Sequence, residues 1–130
     1  MIFVPTILDD LEQRLSALEA ILPLQRSADE HDAAAAMLAC MHEMRRLMDR
    51  LPEAQARYQE ALTEDSRQEA HLALRRLIHD IRTPMGVLYT YLRLIANSII
   101  FAHASDAHRD EANALVDMVR TIREDLKASN

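Results

Sequence analysis

Apolar residues repeat at alternating steps of three and four in four separate segments of the chain, and this pattern constrains the fold more than any other feature. A spacing of 3.5 residues keeps one apolar stripe of a helix facing a partner helix, as in coiled coils and left-handed bundles. A half-buried strand needs apolar residues at every second position, a pattern that the sequence lacks. The four stripes consist of Leu8, Leu11, Leu15, Leu18 and Leu22; of Met37, Met41, Met44, Met48 and Leu51; of Leu74, Ile78, Ile81, Met85, Leu88, Leu92, Ile95 and Ile99; and of Ala112, Leu115, Val119, Ile122 and Leu126. The sequence therefore predicts an all-α fold, in which antiparallel helical hairpins form a coiled-coil-like four-helix bundle.

Helix-ending and helix-capping residues divide the chain into the same segments. Proline is disfavoured inside helices, and a Ser-x-x-Glu box caps a helix N-terminus. These signals are Pro23 after the first segment, the Ser27–Glu30 box before the second, Pro52 after the second, the Ser66–Glu69 box before the third, and Ser105 or Asp106 before the last. We expect a short helix from Glu53 to about Leu62, and a third helix that continues to about His103. The chain then has two parts, an N-terminal helical hairpin of unknown role (residues 1–65) and a second hairpin (residues 66–130).

Charge, hydropathy and cysteine content exclude several classes of protein. The net charge of −6 argues against a nucleic-acid-binding protein, which normally has a basic stripe. No apolar run reaches the ~20 residues that a membrane-spanning helix needs, and the apolar start of the chain is too short for a signal peptide. The single cysteine, Cys40, permits no internal disulfide and is expected to be a buried, unreactive thiol. We therefore expect a cytoplasmic protein that binds neither nucleic acid nor membranes.

The histidines and methionines raise two further alternatives. Histidines outside the motif described next form no pair four residues apart and have no neighbouring cysteines, so we expect no metal site. These histidines are His31, His42, His71, His103 and His108. The stripe from Met37 to Met48 is either part of the core or an adaptable binding groove, and a core stripe is the simpler interpretation.

One exposed stripe of the third segment combines residues that suit phosphoryl transfer. If Ile78 and Ile81 face inward, His79 lies one step off the core, and Thr83 lies one turn further along the same stripe. A neutral imidazole nitrogen is a good nucleophile near neutral pH. The neighbouring carboxylate of Asp80 can orient the ring or take its proton. The hydroxyl of Thr83 can hold a water molecule near the phosphorus for hydrolysis.

Three arginines and an irregularity of the helix accompany this histidine. Arg75, Arg76 and Arg82 place positive charge around it, which favours the negative charge of a phosphoryl group. Pro84 removes one helical hydrogen bond, so a bend is expected there. Gly86, the only glycine, weakens the helix by about 1 kcal/mol relative to alanine. Because the apolar stripe continues on both sides, we expect the helix to bend and continue, and we assign these five residues to partner binding.

The sequence His-Asp-Ile-Arg-Thr-Pro at residues 79–84 strongly resembles the H-box of the dimerisation and histidine-phosphotransfer domain of two-component sensor histidine kinases. The resemblance covers about Ser66 to Lys127, with a long first helix, a short connection and a second antiparallel helix. It implies that His79 accepts the phosphoryl group, that Asp80 is the general base, and that Thr83 supports dephosphorylation of a response regulator. It also implies a homodimer, in which two hairpins form the four-helix bundle.

The chain departs from the sensor kinases in one respect. Such a kinase needs an α/β domain with glycine-rich boxes to bind ATP, and a chain with one glycine cannot supply them. We therefore expect no ATP-dependent kinase activity, and a histidine-phosphotransferase-like activity is the enzymatic alternative. The prediction is a phosphorelay protein that passes a phosphoryl group between His79 and the aspartate of a response-regulator receiver domain, with phosphatase action as a further expectation. No cofactor is expected on this chain, since the magnesium would be held by the receiver partner.

Other interpretations stay open from the sequence. The chain is a stand-alone phosphotransfer protein, a fragment of a kinase, or a domain that has lost catalysis. A non-catalytic adaptor or inhibitor would bind a sensor kinase or a receiver through a kinase-like dimer surface, and a purely structural helical oligomer is a second rival. The intact His79, Asp80 and Thr83 favour the catalytic version, because a decoy need not keep all three. Residues 1–65 either pack on the bundle, extend a dimer interface or bind a regulator.

Overall fold

The computed structural model of the chain describes residues 5–21, 28–101 and 104–128, and all regular secondary structure in these ranges is helical. The helices are α1 (Pro5–Ile21), α2 (Ala28–Met48), α3 (Leu51–Glu60), α4 (Glu64–Ala96) and α5 (Asp106–Ala128). The prediction of an all-α helical bundle is confirmed.

Four of the helices form a closed bundle, and α3 packs against α4. Helix α1 contacts α2 and α5, and α4 contacts the same two helices, so α1 lies diagonally across the bundle from α4. One contiguous hydrophobic core runs through the bundle. The predicted stripe residues are buried in it, apart from Ile99 and from Leu22, which lies outside the described residues. The heptad pattern of the sequence thus describes the core of the bundle.

The N-terminal hairpin supplies more than a third of this core. Helix α1 packs on α5 and α2 packs on α4, so the apolar stripes of α4 and α5 are buried within one chain. Of the three roles left open for residues 1–65, packing on the bundle is the one found in the described residues. The homodimer stays a prediction, and it would have to form through a surface other than these buried stripes.

The start of α4 differs slightly from the prediction. The helix begins at Glu64 rather than at Ser66. Its N-cap is Thr63, whose hydroxyl oxygen accepts the backbone N–H of Ser66 at 3.1 Å. Ser66 therefore lies in the first turn of α4. The capping residue is Thr63, three positions before the predicted cap, and it binds one of the free N–H groups of this turn.

The end of α4 differs more. The helix stops at Ala96, well before the predicted end near His103. Beyond it the chain turns through Ser98, whose φ of 59° is in the left-handed region and cannot continue a right-handed helix. Ile99 is consequently 66% exposed, so the prediction that it extends the core stripe is wrong. Phe101 is buried at this end of the bundle instead.

The helix expected from Glu53 to about Leu62 is α3, which runs from Leu51 to Glu60, two residues earlier at each end. Pro52, which the sequence predicts to break or restart the helix, lies in the first turn of α3, where its missing N–H costs no helical hydrogen bond, so the helix restarts there. The Ser105 hydroxyl accepts the backbone N–H of His108 at 3.3 Å and caps α5. The signals at Pro23 and Ser27 lie outside the described residues.

Candidate functional site

Helix α4 presents His79 to solvent on the outside of the bundle. Its neighbours Ile78 and Ile81 are buried and fix which side of α4 faces the core. The His79 side chain lies one step off that stripe and is 81% exposed. The prediction that this imidazole reaches solvent is confirmed, and a visiting protein can approach it without any rearrangement of the helix.

Asp80 lies beside one nitrogen of the His79 ring. Its Oδ1 is 3.6 Å from Nδ1 of His79. This separation is too long for a hydrogen bond, but both side chains are exposed, and small rotations about their torsions shorten it. When Asp80 accepts the proton on Nδ1, the lone pair of the neutral ring is on Nε2. The pair therefore leaves Nε2 as the reactive nitrogen.

Thr83 and Pro84 follow one turn later. Thr83 is exposed on the same side of α4 as His79, whereas Pro84 is buried. Helix α4 continues through Pro84, as predicted. Since proline has no N–H, the backbone carbonyl of Asp80 lacks its usual helical donor. Pro84 thus removes one backbone hydrogen bond from α4 in the turns that follow His79.

Gly86 is exposed in α4, and nothing around it requires a glycine. A Cβ added at this position would meet no atom within 4 Å, apart from the backbone of the helix itself. Its φ is not positive, so the backbone is one that any residue adopts. The Thr90 hydroxyl donates to the Gly86 carbonyl at 2.9 Å. The glycine lowers the stability of α4 near His79 without a reason in packing.

The three arginines around His79 have no partner among the described residues. Arg75 and Arg76 lie one turn before it and Arg82 lies one turn after it, and all three are exposed. Within the described part of the chain none of them forms a hydrogen bond or an ion pair. Their guanidinium groups are therefore free to bind an anion or an acidic surface.

A groove between α2 and α4 adjoins the site, and sequence reasoning missed its α2 side. The groove has a volume of about 600 Å³. Helix α2 contributes one wall, and α4 contributes Asp80, Thr83, Pro84 and Val87. This wall is formed by Ala39, Cys40, Glu43, Arg46 and Leu47 of α2 and by Arg50 in the turn that follows α2. Periodicity predicts which side of α2 is buried but not which helix it meets, so no sequence signal could have placed these residues beside Asp80.

The packing of α2 in the bundle decides whether its methionine stripe and its cysteine are buried. Met37, Met41, Met44 and Met48 are buried in the core, so the prediction of a core stripe is confirmed. Cys40 is half-buried rather than fully buried. Desolvation by this burial raises the pKa of its thiol. At neutral pH the side chain is a neutral thiol, which behaves as a small apolar group in the groove.

The opposite side of α4, which faces α5, is closed by a cluster around Tyr89. The guanidinium groups of Arg93, Arg120 and Arg123 each lie within 6 Å of the ring centre. The Tyr89 hydroxyl accepts from Arg120 at 3.1 Å, and the hydrogen bonds from Arg120 and Arg93 lower the pKa of this phenol. The side chains of α4 and α5 therefore cover the seam between these two helices around Tyr89, ten residues beyond His79.

Residues 5–21, 28–101 and 104–128 contain no cluster of three or more histidine, cysteine, aspartate or glutamate side chains that could hold a metal ion. None of the helices in these ranges is long and apolar enough to cross a membrane. Comparison of the chain with protein-family models, with curated proteins and with solved structures finds no match. The similarity to the H-box consequently rests on the residues of the motif and on their placement on α4.

Proposed function

We propose that the chain is a phosphotransfer protein, in which His79 exchanges a phosphoryl group with the aspartate of a response-regulator receiver domain. One observation carries the proposal. An exposed imidazole lies beside a carboxylate at 3.6 Å, on a helix held by a buried core, and its three neighbouring arginines have no partner within residues 5–21, 28–101 and 104–128. A histidine kept only for packing or solubility needs none of these neighbours.

The transfer is a displacement at phosphorus. The lone pair on Nε2 of His79 forms an N–P bond while the P–O bond to the aspartyl carboxylate of the donor breaks, and the electron pair of that bond stays on the carboxylate. Asp80 holds or accepts the proton on Nδ1, which balances the positive charge that develops on the ring. Arg75, Arg76 and Arg82 stabilise the phosphoryl oxygens, and a magnesium ion held by the receiver would supply further stabilisation of their negative charge.

Thr83 is proposed to act in the hydrolysis of the aspartyl phosphate. Its hydroxyl is exposed one turn from His79 and can hold a water molecule at the docked phosphorus. The water oxygen then forms the new P–O bond, the bond to the aspartate breaks, and inorganic phosphate leaves. On this basis Thr83→Ala should slow the loss of phosphate from a receiver while phosphoryl transfer to His79 persists.

Labelling of His79 tests the proposal. The chain is incubated in two separate experiments. One uses phosphoramidate, a small phosphoryl donor, and the other uses receiver domains of the same organism that carry a radiolabelled aspartyl phosphate. Acid-labile label should appear on the wild-type protein and be absent from His79→Ala. The matched control is His42→Ala, because His42 is also exposed and has Glu12 3.7 Å from its Nε2, but lies on α2. Label that survives in His79→Ala, or that appears from neither donor on the wild-type chain, would contradict the proposal.

Two further measurements complete the test. Light scattering of the full chain distinguishes a single-chain bundle, which the burial of the stripes favours, from the homodimer that the resemblance implies. Binding of a receiver that is equally tight with and without His79, and without any transfer of label, would instead support the non-catalytic adaptor. In that case the surface around His79 would bind a partner and the chemistry would be absent.

A further inference from the structure

A cluster of arginines around one tyrosine lies outside the residues that the proposed phosphoryl transfer uses. Tyr89 is ten residues beyond His79 on α4, about 15 Å along the helix. Three guanidinium groups, one from α4 and two from α5, lie 5.8, 5.7 and 5.5 Å from the centre of its ring. We call this set the Tyr89 cluster, and it consists of Tyr89, Arg93, Arg120 and Arg123. It gathers three positive charges across the seam between the two helices.

The chain neutralises little of this charge. The cluster has one carboxylate partner among the described residues, Asp117, whose Oδ1 is 3.6 Å from Nη1 of Arg120. This distance is too long for a hydrogen bond. Arg93 and Arg123 form no ion pair with any part of the chain that the structure describes. A chain whose net charge is −6 therefore carries a local excess of positive charge at this point.

Most N–H groups of the cluster also have no acceptor. The Tyr89 hydroxyl accepts from Arg120 at 3.1 Å and from Arg93 at 3.5 Å. The Nε of Arg123 is buried and has no hydrogen-bond partner. Contact with an aromatic ring attracts a cation but satisfies few of the several N–H donors that each guanidinium group has. Because Arg120 is half exposed, an anion from solvent can reach the cluster.

The arrangement of the three arginines favours a phosphate group over a carboxylate. A carboxylate has two oxygens in one plane, and a single arginine binds both of them. A phosphate group carries a charge of about −1.5 to −2 at neutral pH and has at least three free oxygens around the phosphorus. It can therefore accept hydrogen bonds from guanidinium groups that approach from several sides at once.

We propose that the Tyr89 cluster is a phosphate-binding site, which takes inorganic phosphate or the phosphate of a small phosphomonoester. The bound group joins Arg93 of α4 to Arg120 and Arg123 of α5, and it links the stability of this hairpin to the phosphate concentration. The ring of Tyr89 acts as a positioning group that holds the three side chains together before the ligand binds. The site is separate from His79 and does not depend on the proposed phosphoryl transfer.

Nuclear magnetic resonance of the full chain locates the anion. Isotope-labelled protein is titrated with inorganic phosphate at neutral pH, and sodium chloride is adjusted to hold the ionic strength constant. The side-chain N–H signals of Arg93, Arg120 and Arg123 should shift together and saturate, with a dissociation constant of about 1 mM or lower. Shifts that never saturate, or that are confined to the arginines around His79, would overturn the proposal.

Substitutions in the cluster test which groups bind the phosphate. Arg120→Gln and Arg123→Gln each remove one guanidinium group and should raise the dissociation constant at least about fivefold. Arg57→Gln is the matched control, because Arg57 is exposed on α3 and is already bound by Glu53 at 2.7 Å. Circular dichroism verifies that each variant keeps its helices. Wild-type affinity in both cluster variants, or an equal loss in the control, would contradict the assigned site.

Two changes at Tyr89 test the role of its ring. Tyr89→Leu removes the ring, and the affinity for inorganic phosphate should fall at least about threefold, since the guanidinium groups are no longer gathered. Tyr89→Phe keeps the ring and loses only the hydroxyl, so the affinity should stay close to that of the wild type. Equal losses in the two variants would show that the ring does not position the arginines.

A comparison of three anions determines the chemistry of the ligand. Inorganic phosphate, glycerol 3-phosphate and acetate are titrated at equal ionic strength. Similar affinities for the first two would assign the site to phosphomonoesters as well as to the free ion, and binding of inorganic phosphate alone would assign it to the free ion. Acetate that binds as tightly as phosphate would overturn the proposal. These titrations measure no label on His79, so their failure and the failure of phosphoryl transfer are distinguishable.

Discussion

The α1–α2 hairpin and the α4–α5 hairpin share one hydrophobic core but use their arginines differently. In the N-terminal hairpin Arg45 forms ion pairs with Asp9 and Glu12, and Arg14 binds Glu111 of α5. Around His79 the arginines of α4 have no partner among the described residues. These arginines join helices and are neutralised by the chain itself, whereas those beside the histidine remain available to a molecule from outside.

The two hairpins also differ in the regularity of their helices, and the irregular residues are near the histidine. Helix α2 contains neither proline nor glycine and is rich in alanine, a strong helix former. Helix α4 contains Pro84 and Gly86 within about two turns of His79. Locally unfavourable residues in an otherwise regular fold are typical of functional sites. The N-terminal hairpin thus acts as scaffold along its length, and α4 departs from that role only near the histidine.

The shared core predicts that one charge placed in it destroys both hairpins. Ile81 is fully buried, so Ile81→Asp should lower the free energy of unfolding by more than about 4 kcal/mol. That is enough to unfold a domain of ordinary stability, which is about 5–15 kcal/mol. Circular dichroism should show the loss of most helix, with Thr90→Asp on the exposed side of α4 as the control. Retention of the wild-type melting curve would mean that this stripe does not face the core.

Smaller core deletions decide whether the two hairpins unfold together. Leu15 in α1 and Leu88 in α4 are both fully buried, and each change to alanine should cost about 2–5 kcal/mol. Because the two residues belong to one core, both variants should melt in a single transition, with loss of helix throughout the chain. Urea unfolding followed by circular dichroism measures this. A first transition in Leu15→Ala that leaves half of the helix intact would divide the molecule into two independent units.

Much of this fold could be predicted from the sequence because heptad spacing specifies which side of each helix is buried. The same spacing does not specify the neighbouring helix, and so the pairing of α2 with α4 could not be predicted. Ile99 fits the spacing but is exposed. The left-handed backbone at Ser98 lies beyond the end of the helix, and the heptad spacing predicts burial only within a helix. For the site, the exposure of His79 followed from the stripe, but Cys40 and Arg50 reach it only through the tertiary contact between α2 and α4.

The irregularity of α4 can be removed at one position without loss of packing. Gly86→Ala adds a methyl group that meets no atom within 4 Å outside the helix backbone, so it should raise the free energy of unfolding by about 0.5–1 kcal/mol. The reverse change at an exposed site of the same helix, Ala73→Gly, should lower it by a similar amount. Urea unfolding of both variants measures the difference. Equal losses in both would show that α4 needs the glycine for a reason other than helix propensity.

The smallest effect is expected at the ion pair that joins α1 to α5. Arg14 and Glu111 form two hydrogen bonds, of 2.7 and 3.0 Å, and these raise the pKa of the arginine above its usual value. Both side chains are about one-third exposed, so solvent screens the pair, and a double-mutant cycle of Arg14→Gln and Glu111→Gln should give a coupling of less than about 1 kcal/mol. The coupling should shrink further in high salt. A value of several kcal/mol would mean that charge pairing, and not the shared apolar core, holds the N-terminal hairpin against α5.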